Sequence, residues 1–126
     1  MAIFDGFSDR DVQRITSAGT FVRLPADWSP IAERTPADKA YILLSGSASV
    51  RKGREEIATL GPGDIFGEAA ILNHQLRNAS IVTTSRVEAL HFTDEALRRL
   101  CAEVPVFREA LARRPPTGSA QAGDRP

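Results

Sequence analysis

The chain has 126 residues, 42% hydrophobic and 25% charged, with 16 basic and 16 acidic side chains in balance. That is one domain's worth, enough to bury a core without disulfides or a structural metal, and zero net charge excludes a whole-chain basic field for nucleic acid or anionic lipid. A single cysteine, Cys101, rules out an internal disulfide and favours a reducing compartment.

The chain starts MAIFDGFSDRD, with acids where a signal peptide carries basic residues and no apolar run behind them. No segment approaches the length of a membrane span, so a cytoplasmic protein is expected. Ser8 suits a helix N-cap, with Asp9 and Asp11 in the first turn where the helix dipole favours acids. Val12 and Ile15 recur at helical spacing and Gly19 is a stop, which predicts a short helix over 8–18. Phe4 and Phe7 are placed to pin it to the body.

From Gly19 to about residue 92 the pattern changes to short apolar or alternating runs broken by Gly, Pro and Asp. TFVRL, AYILLSG, SASVRK, EEIATL, SIVTTS and VEALHF read as strands of four to seven residues. Arg51-Lys52-Gly53-Arg54 and Gly61-Pro62-Gly63-Asp64 read as turns, and 27–38, with Pro30 and Pro36, as a loop holding a brief extended piece. Many short strands with tight turns predict a sandwich, jelly roll or barrel.

After Phe92 the helical period returns. Thr93 can cap, Asp94 and Glu95 fill the first turn, and Leu97, Leu100 and Cys101 mark one face. Pro105 suits the first turn of another helix, with Phe107 and Leu111 on its apolar side. Those two side chains, with Arg113 and Arg114, are candidates for a lid or an interface, although simple core packing is the stronger expectation. The tail PPTGSAQAGDRP cannot bury enough surface to order itself. The expected organisation is one domain over 1–114 and a disordered tail over 115–126.

One piece breaks the roll. In FGEAAILNHQLRNAS, residues 66–80, helix formers lie between a Gly-Pro turn and a strand, which predicts a short helix at about 68–72. A helix start exposes unpaired N–H groups and a partial positive charge, and so attracts phosphate. The small Ala69 and Ala70 let an anion approach the backbone, and Arg77 can meet the same phosphate as a charge-assisted partner. Glu68 would repel a phosphate, but it suits a ligand that also offers a hydroxyl. A sugar phosphate offers both, above all a nucleotide whose phosphate is closed onto its ribose.

The stretch resembles the phosphate-binding cassette of the cyclic nucleotide-binding domain family, through Phe66-Gly67-Glu68, Ala70, Ile71-Leu72, Arg77 and Ala79-Ser80. LPAD at 24–27, PAD at 36–38, YILLSGSASV at 41–50 and LGPGDIFGE at 60–68 resemble that family's roll in the same order, so the likeness covers roughly 4–112. The resemblance implies a mainly β fold with flanking helices: an antiparallel, jelly-roll-like β-roll with an N-terminal helix, a short phosphate-binding helix and two C-terminal helices. It implies that Glu68 accepts from the ribose 2′-hydroxyl and that Arg77 pairs with the exocyclic phosphate. The amides of Gly67, Ala70 and Ala79 would complete those contacts, Ala69, Asn78 and Ser80 would lie beside them, and Val50 and Ile57 would line the apolar wall. Asn78 stands where such domains carry alanine, serine or threonine, a hydroxyl there often favouring guanine, so the base is open: cyclic AMP first, cyclic GMP as the alternative. Leu76 replaces a frequent proline, and the stretch Asp27-Trp28-Ser29-Pro30 with Arg34 replaces one that usually contains glycine.

The expected function is therefore a non-catalytic cyclic nucleotide sensor, with the nucleotide as ligand and no cofactor or metal. No helix-turn-helix fits in the tail, so DNA binding by this chain is not expected and output would pass through a protein partner or a homodimer. The alternative is a roll that has lost the nucleotide and serves as an interaction module. His74 and His91, the only histidines, lack the clustering of a metal site. Ser45, Ser47 and Ser49 have no histidine placed to activate them. The arginine bias (only Lys39 and Lys52 are lysines) and abundant alanine point to a GC-rich bacterial genome.

Overall fold

A computed structural model gives the fold; it describes residues 6–31, 38–68, 71 and 79–113. The predicted Phe4 anchor, residues 32–37, the inner part of the 66–80 stretch, His74 and the tail lie outside the described residues.

Helix α1 spans Asp9–Ala18 and is capped as its sequence suggests, with Ser8 accepting from the Asp11 amide. Gly19 ends it, but in an extended conformation, not a left-handed one. The glycine is needed there for space, since a Cβ would lie 2.9 Å from the Phe92 ring. The strands follow as β1 (Thr20–Leu24), β2 (Lys39–Ser45), β3 (Ala48–Lys52), β4 (Glu55–Leu60), β5 (Ile65–Phe66), β6 (Ser80–Thr83) and β7 (Val87–Thr93). Two helices close the described chain, α2 (Asp94–Glu103), capped by Thr93 accepting from the Ala96 amide, and α3 (Pro105–Arg113). Every strand expected from alternation is present; β5, two residues long, was too short to carry a period.

All strand pairs are antiparallel and form two sheets, β1-β7-β2-β5 and β4-β3-β6. Each strand sends alternate side chains to opposite faces, and in the four-stranded sheet both faces are covered. Ala40, Ile42, Leu90 and Phe92 join Ile15, Leu97, Leu100, Val104, Phe107 and Leu111 in a helix-side cluster. Tyr41, Leu43, Val87 and Ala89 face the other way and meet Ala48, Val50, Leu60 and Ile81 of the second sheet. Phe7 packs on the helix side, as expected of an anchor. Phe107, fully buried, and Leu111 are core residues, so the core reading holds over a lid. At the far end of the roll Gly46 adopts φ +91°, and a Cβ there would collide with the Arg86 carbonyl oxygen, so this turn accepts only glycine.

His91 is structural: its ring meets Tyr41 edge-on at 5.2 Å, and Tyr41 stacks on Phe66. Burial and then the Lys39 charge push its pKa below the ordinary 6.5, with Asp38 opposing. The unfolded chain therefore takes up this proton first. The contribution is complete above about pH 6.5 and is lost as the pH falls through that value towards the lowered folded pKa. In thermal melts between pH 7.5 and 5, His91→Gln is expected to lose part of the acid-side fall in Tm; an identical slope would show that His91 does not contribute.

Candidate functional site

The candidate site lies where the chain crosses between the two sheets. β5 pairs with β2 through Tyr41↔Phe66 and Ile42↔Ile65, placing Phe66 in the cluster between the sheets. The next residue, Gly67, turns at φ +89°, a left-handed value that favours glycine. Glu68 and Ile71 are helical, in keeping with the short helix predicted at 68–72. The chain is described again at Ala79, 5% exposed and in the same cluster as Phe66, and continues as β6.

Glu68 is 4% exposed. Most carboxylates that satisfy a helix dipole lie at the surface, where the contact costs little desolvation. A buried one costs several kcal/mol unless donors meet it. Its burial therefore separates this residue from the ordinary first-turn acid it resembles in isolation.

The opposite wall comes from the second sheet. β3 lies at its centre, where Val50 pairs with Ile81 on β6 and with Ala58 on β4. The β3–β4 register then slips, Arg51 pairing with Glu56, which leaves Ile57 as the bulged residue. Bulges re-aim side chains next to functional sites, and Ile57 packs, partly buried, on the cluster that holds the fully buried Val50. Ser80, opposite Arg51, opens β6. Val50 and Ala79 thus lie in the cluster between the sheets with Ile57 packed on it, and Gly67, Glu68 and Ser80 are the chain neighbours of Phe66 and Ala79 at its edge. Ala69, Ala70, Arg77 and Asn78 lie outside the described residues.

The cyclic nucleotide-binding domain family model matches residues 21–104. The chain belongs to that family. The domain is 33% identical over 116 residues to a CRP-like cAMP-activated global transcriptional regulator of Mycobacterium tuberculosis, covering 88% of this chain and 52% of the regulator. It is 39% identical over 84 residues to a cAMP-dependent protein kinase regulatory subunit of Hypocrea atroviridis, covering 67% of this chain and 17% of the subunit. Among solved structures, the Thermus thermophilus catabolite activator protein superposes with a TM-score of 0.78 at 27% identity, over 87% of this chain and 54% of that one. The regulatory domain of Toxoplasma gondii PKA, solved with cAMP, shares the fold, with a TM-score of 0.74 at 22% identity over 87% of this chain and 44% of that one. The domain spans about half the length of the mycobacterial regulator it matches.

Among the described residues no group of three or more His, Cys, Asp or Glu is placed to hold a metal ion, and no helix is long and apolar enough to cross a membrane. Burial pushes the Cys101 thiol above its ordinary pKa, with Arg108 opposing, which suits a small apolar residue more than a nucleophile. One polar contact was not legible in the sequence: Arg98 on α2 donates from Nη2 to the Ile71 carbonyl oxygen at 2.9 Å. The partners are 27 residues apart, and nothing in either local pattern pairs them.

Proposed function

We propose that this domain is a non-catalytic sensor of a cyclic nucleotide, cyclic AMP first, whose output passes through a protein partner or a second copy of itself. The observation that carries the reading is the buried Glu68, entered through the left-handed Gly67 at the exit of β5. It supports a carboxylate held for a ligand hydroxyl. In this reading Glu68 accepts from the ribose 2′-hydroxyl, Arg77 pairs with the phosphate and the amides of Gly67, Ala70 and Ala79 complete the contacts. Ala69, Asn78 and Ser80 flank them, and Val50 and Ile57 cover the apolar side of the nucleotide. Cyclic AMP is put first because the relatives include cAMP-activated and cAMP-dependent proteins, and a cGMP-dependent protein kinase of Eimeria tenella, 32% identical over 85 residues, keeps cyclic GMP as the alternative. Binding acts by shifting a population, the segment from Glu68 to Arg77 ordering on phosphate while α2 and α3 repack beside it.

Titration calorimetry of ligand-stripped protein with cyclic AMP, then cyclic GMP, tests the reading. Saturable binding near one site per chain is expected. No heat, together with an unchanged Tm, would overturn it in favour of an interaction scaffold. Glu68→Ala is expected to weaken cyclic AMP binding by about 1–3 kcal/mol, the range for a charged hydrogen bond, or roughly fivefold to 150-fold. An unchanged affinity would remove the ribose contact.

A further inference from the structure

Among the described residues the two sheets end in four edge strands, β1, β5, β4 and β6, and three of these are protected. β5 pairs over two residues only. β4 opens with Glu55 and Glu56 and carries the bulge at Ile57. β6 is met on its outer side by Ile31, which bridges to Ile81. Shortness, charge, bulges and covering segments are the devices that keep a sheet edge from pairing with another chain.

β1 differs. Its five residues, TFVRL, hold an unbroken register with β7 and include no proline and no bulge. Its one charge is drawn inward: the Arg23 guanidinium lies 5.4 Å from the Phe21 ring centroid and 3.5 Å from the Glu88 carboxylate. Phe21 pairs with Leu90 and Arg23 with Glu88, so both stand on the helix-side face, where the Phe21 ring remains half exposed. Val22 stands on the other face and packs on the cluster between the sheets. The edge thus offers backbone donors and acceptors, a ring and a cation along one short strand.

We propose that two copies of the domain pair antiparallel through β1, about a two-fold axis at Val22, joining their four-stranded sheets into one. This register uses all five residues. It sets Phe21 opposite the partner's Arg23, Thr20 opposite the partner's Leu24 and Val22 opposite itself. Residues paired across strands share a face, so each Phe21 ring meets a second guanidinium besides its own. Centring on Arg23 would set like charges opposite each other, and centring on Phe21 would leave Leu24 unpaired. The strand is self-complementary in one register, as a contact between identical copies requires, and this favours a second copy over a strand of another protein. The inference rests on the second-copy branch of the proposed function and not on nucleotide binding.

The experiment uses the full chain, free of nucleotide, in sedimentation equilibrium up to about 1 mM. Wild type is expected to pass from monomer to dimer within that range. Phe21→Lys sets a cation opposite the partner's Arg23 at two symmetric places and should weaken the dimer about tenfold or more. Phe21→Glu loses the same ring but sets an anion there, and should keep the dimer. The Tm of each variant at monomer concentration is the folding control. Cross-linking reads the register, because opposed Cα atoms of an antiparallel pair lie about 4.5–5.5 Å apart, within the span of a disulfide. In a Cys101→Ala background, mild oxidation should lock Val22→Cys as a covalent dimer and leave Thr20→Cys unlinked. A wild type that is monomeric at the highest concentration overturns the proposal and leaves β1 to a strand of another protein. A dimer that Phe21→Lys and Phe21→Glu affect equally, or that Val22→Cys fails to lock, overturns it as well. Cyclic AMP calorimetry separates the two readings: binding by a monomer removes this inference alone, and a dimer that binds no nucleotide removes the nucleotide reading alone.

Discussion

Arg77→Ala is expected to weaken cyclic AMP binding by about thirtyfold to several thousandfold, which corresponds to roughly 2–5 kcal/mol for removing one partner of a desolvated charge pair. The size of the effect follows from what is left behind. A phosphate seated against backbone amides with no guanidinium keeps its charge but loses its counter-charge, and that penalty dominates the loss. Lysine should restore only part of it, because an ammonium cannot meet two phosphate oxygens in the planar fork of arginine. Calorimetry on the ligand-stripped variant gives the number, and the Tm of the ligand-free protein gives the control. A variant with wild-type affinity would remove the proposed pose even where the wild type binds, since no other residue of the stretch has been given the phosphate charge.

The second large effect is on stability. Phe107→Ala is expected to cost about 3–5 kcal/mol, the range for deleting a buried aromatic ring. Phe107 is fully buried on α3, in a cluster that includes Ile15 of α1, Leu97 and Leu100 of α2, and Ile42 of the four-stranded sheet. The cost depends on how far those neighbours can close over the space its ring would leave. Urea unfolding should show a lower midpoint. An unchanged m-value would mean that the helices unfold with the roll, and a reduced one that they had already detached. A loss below about 1 kcal/mol would mean that the helices contribute little to the cooperative unit.

Much of this molecule was legible in advance because its local patterns agree with its tertiary structure. The alternation in KAYILLS and VEALHFT is the alternation of two buried faces. Ser8 and Thr93 cap the helices they precede because a hydroxyl at that position has an amide three residues on to accept from. Other features were not legible. β5 pairs only two residues, too few to show a period. Gly19 marked the helix end, but the reason for it, the Phe92 ring, arrives from 73 positions along the chain. The candidate site divides in the same way. The residue types of Gly67-Glu68 and their relatives on β3 and β4 could be named from the sequence. The burial of Glu68 and the reach of Arg98 to Ile71 could not, because both depend on how elements distant in sequence pack.

The four-stranded sheet is a partition, with separate apolar compartments on its two sides. Tyr41 and Ile42 are neighbours in the chain, yet they belong to different compartments. Strand backbones held in a hydrogen-bonded ladder stand between them, so the side chains of one compartment reach the other only through the sheet. A helix that shifts over Ala40, Ile42, Leu90 and Phe92 is therefore expected to disturb Tyr41, Leu43, Val87 and Ala89, which meet the second sheet, less than its own side. The molecule has, in effect, a fixed room and a furnished one, with a doorway between Phe66, which belongs to the first, and Ile71, which belongs to the second. A change in the doorway can rearrange the furniture and leave the walls standing.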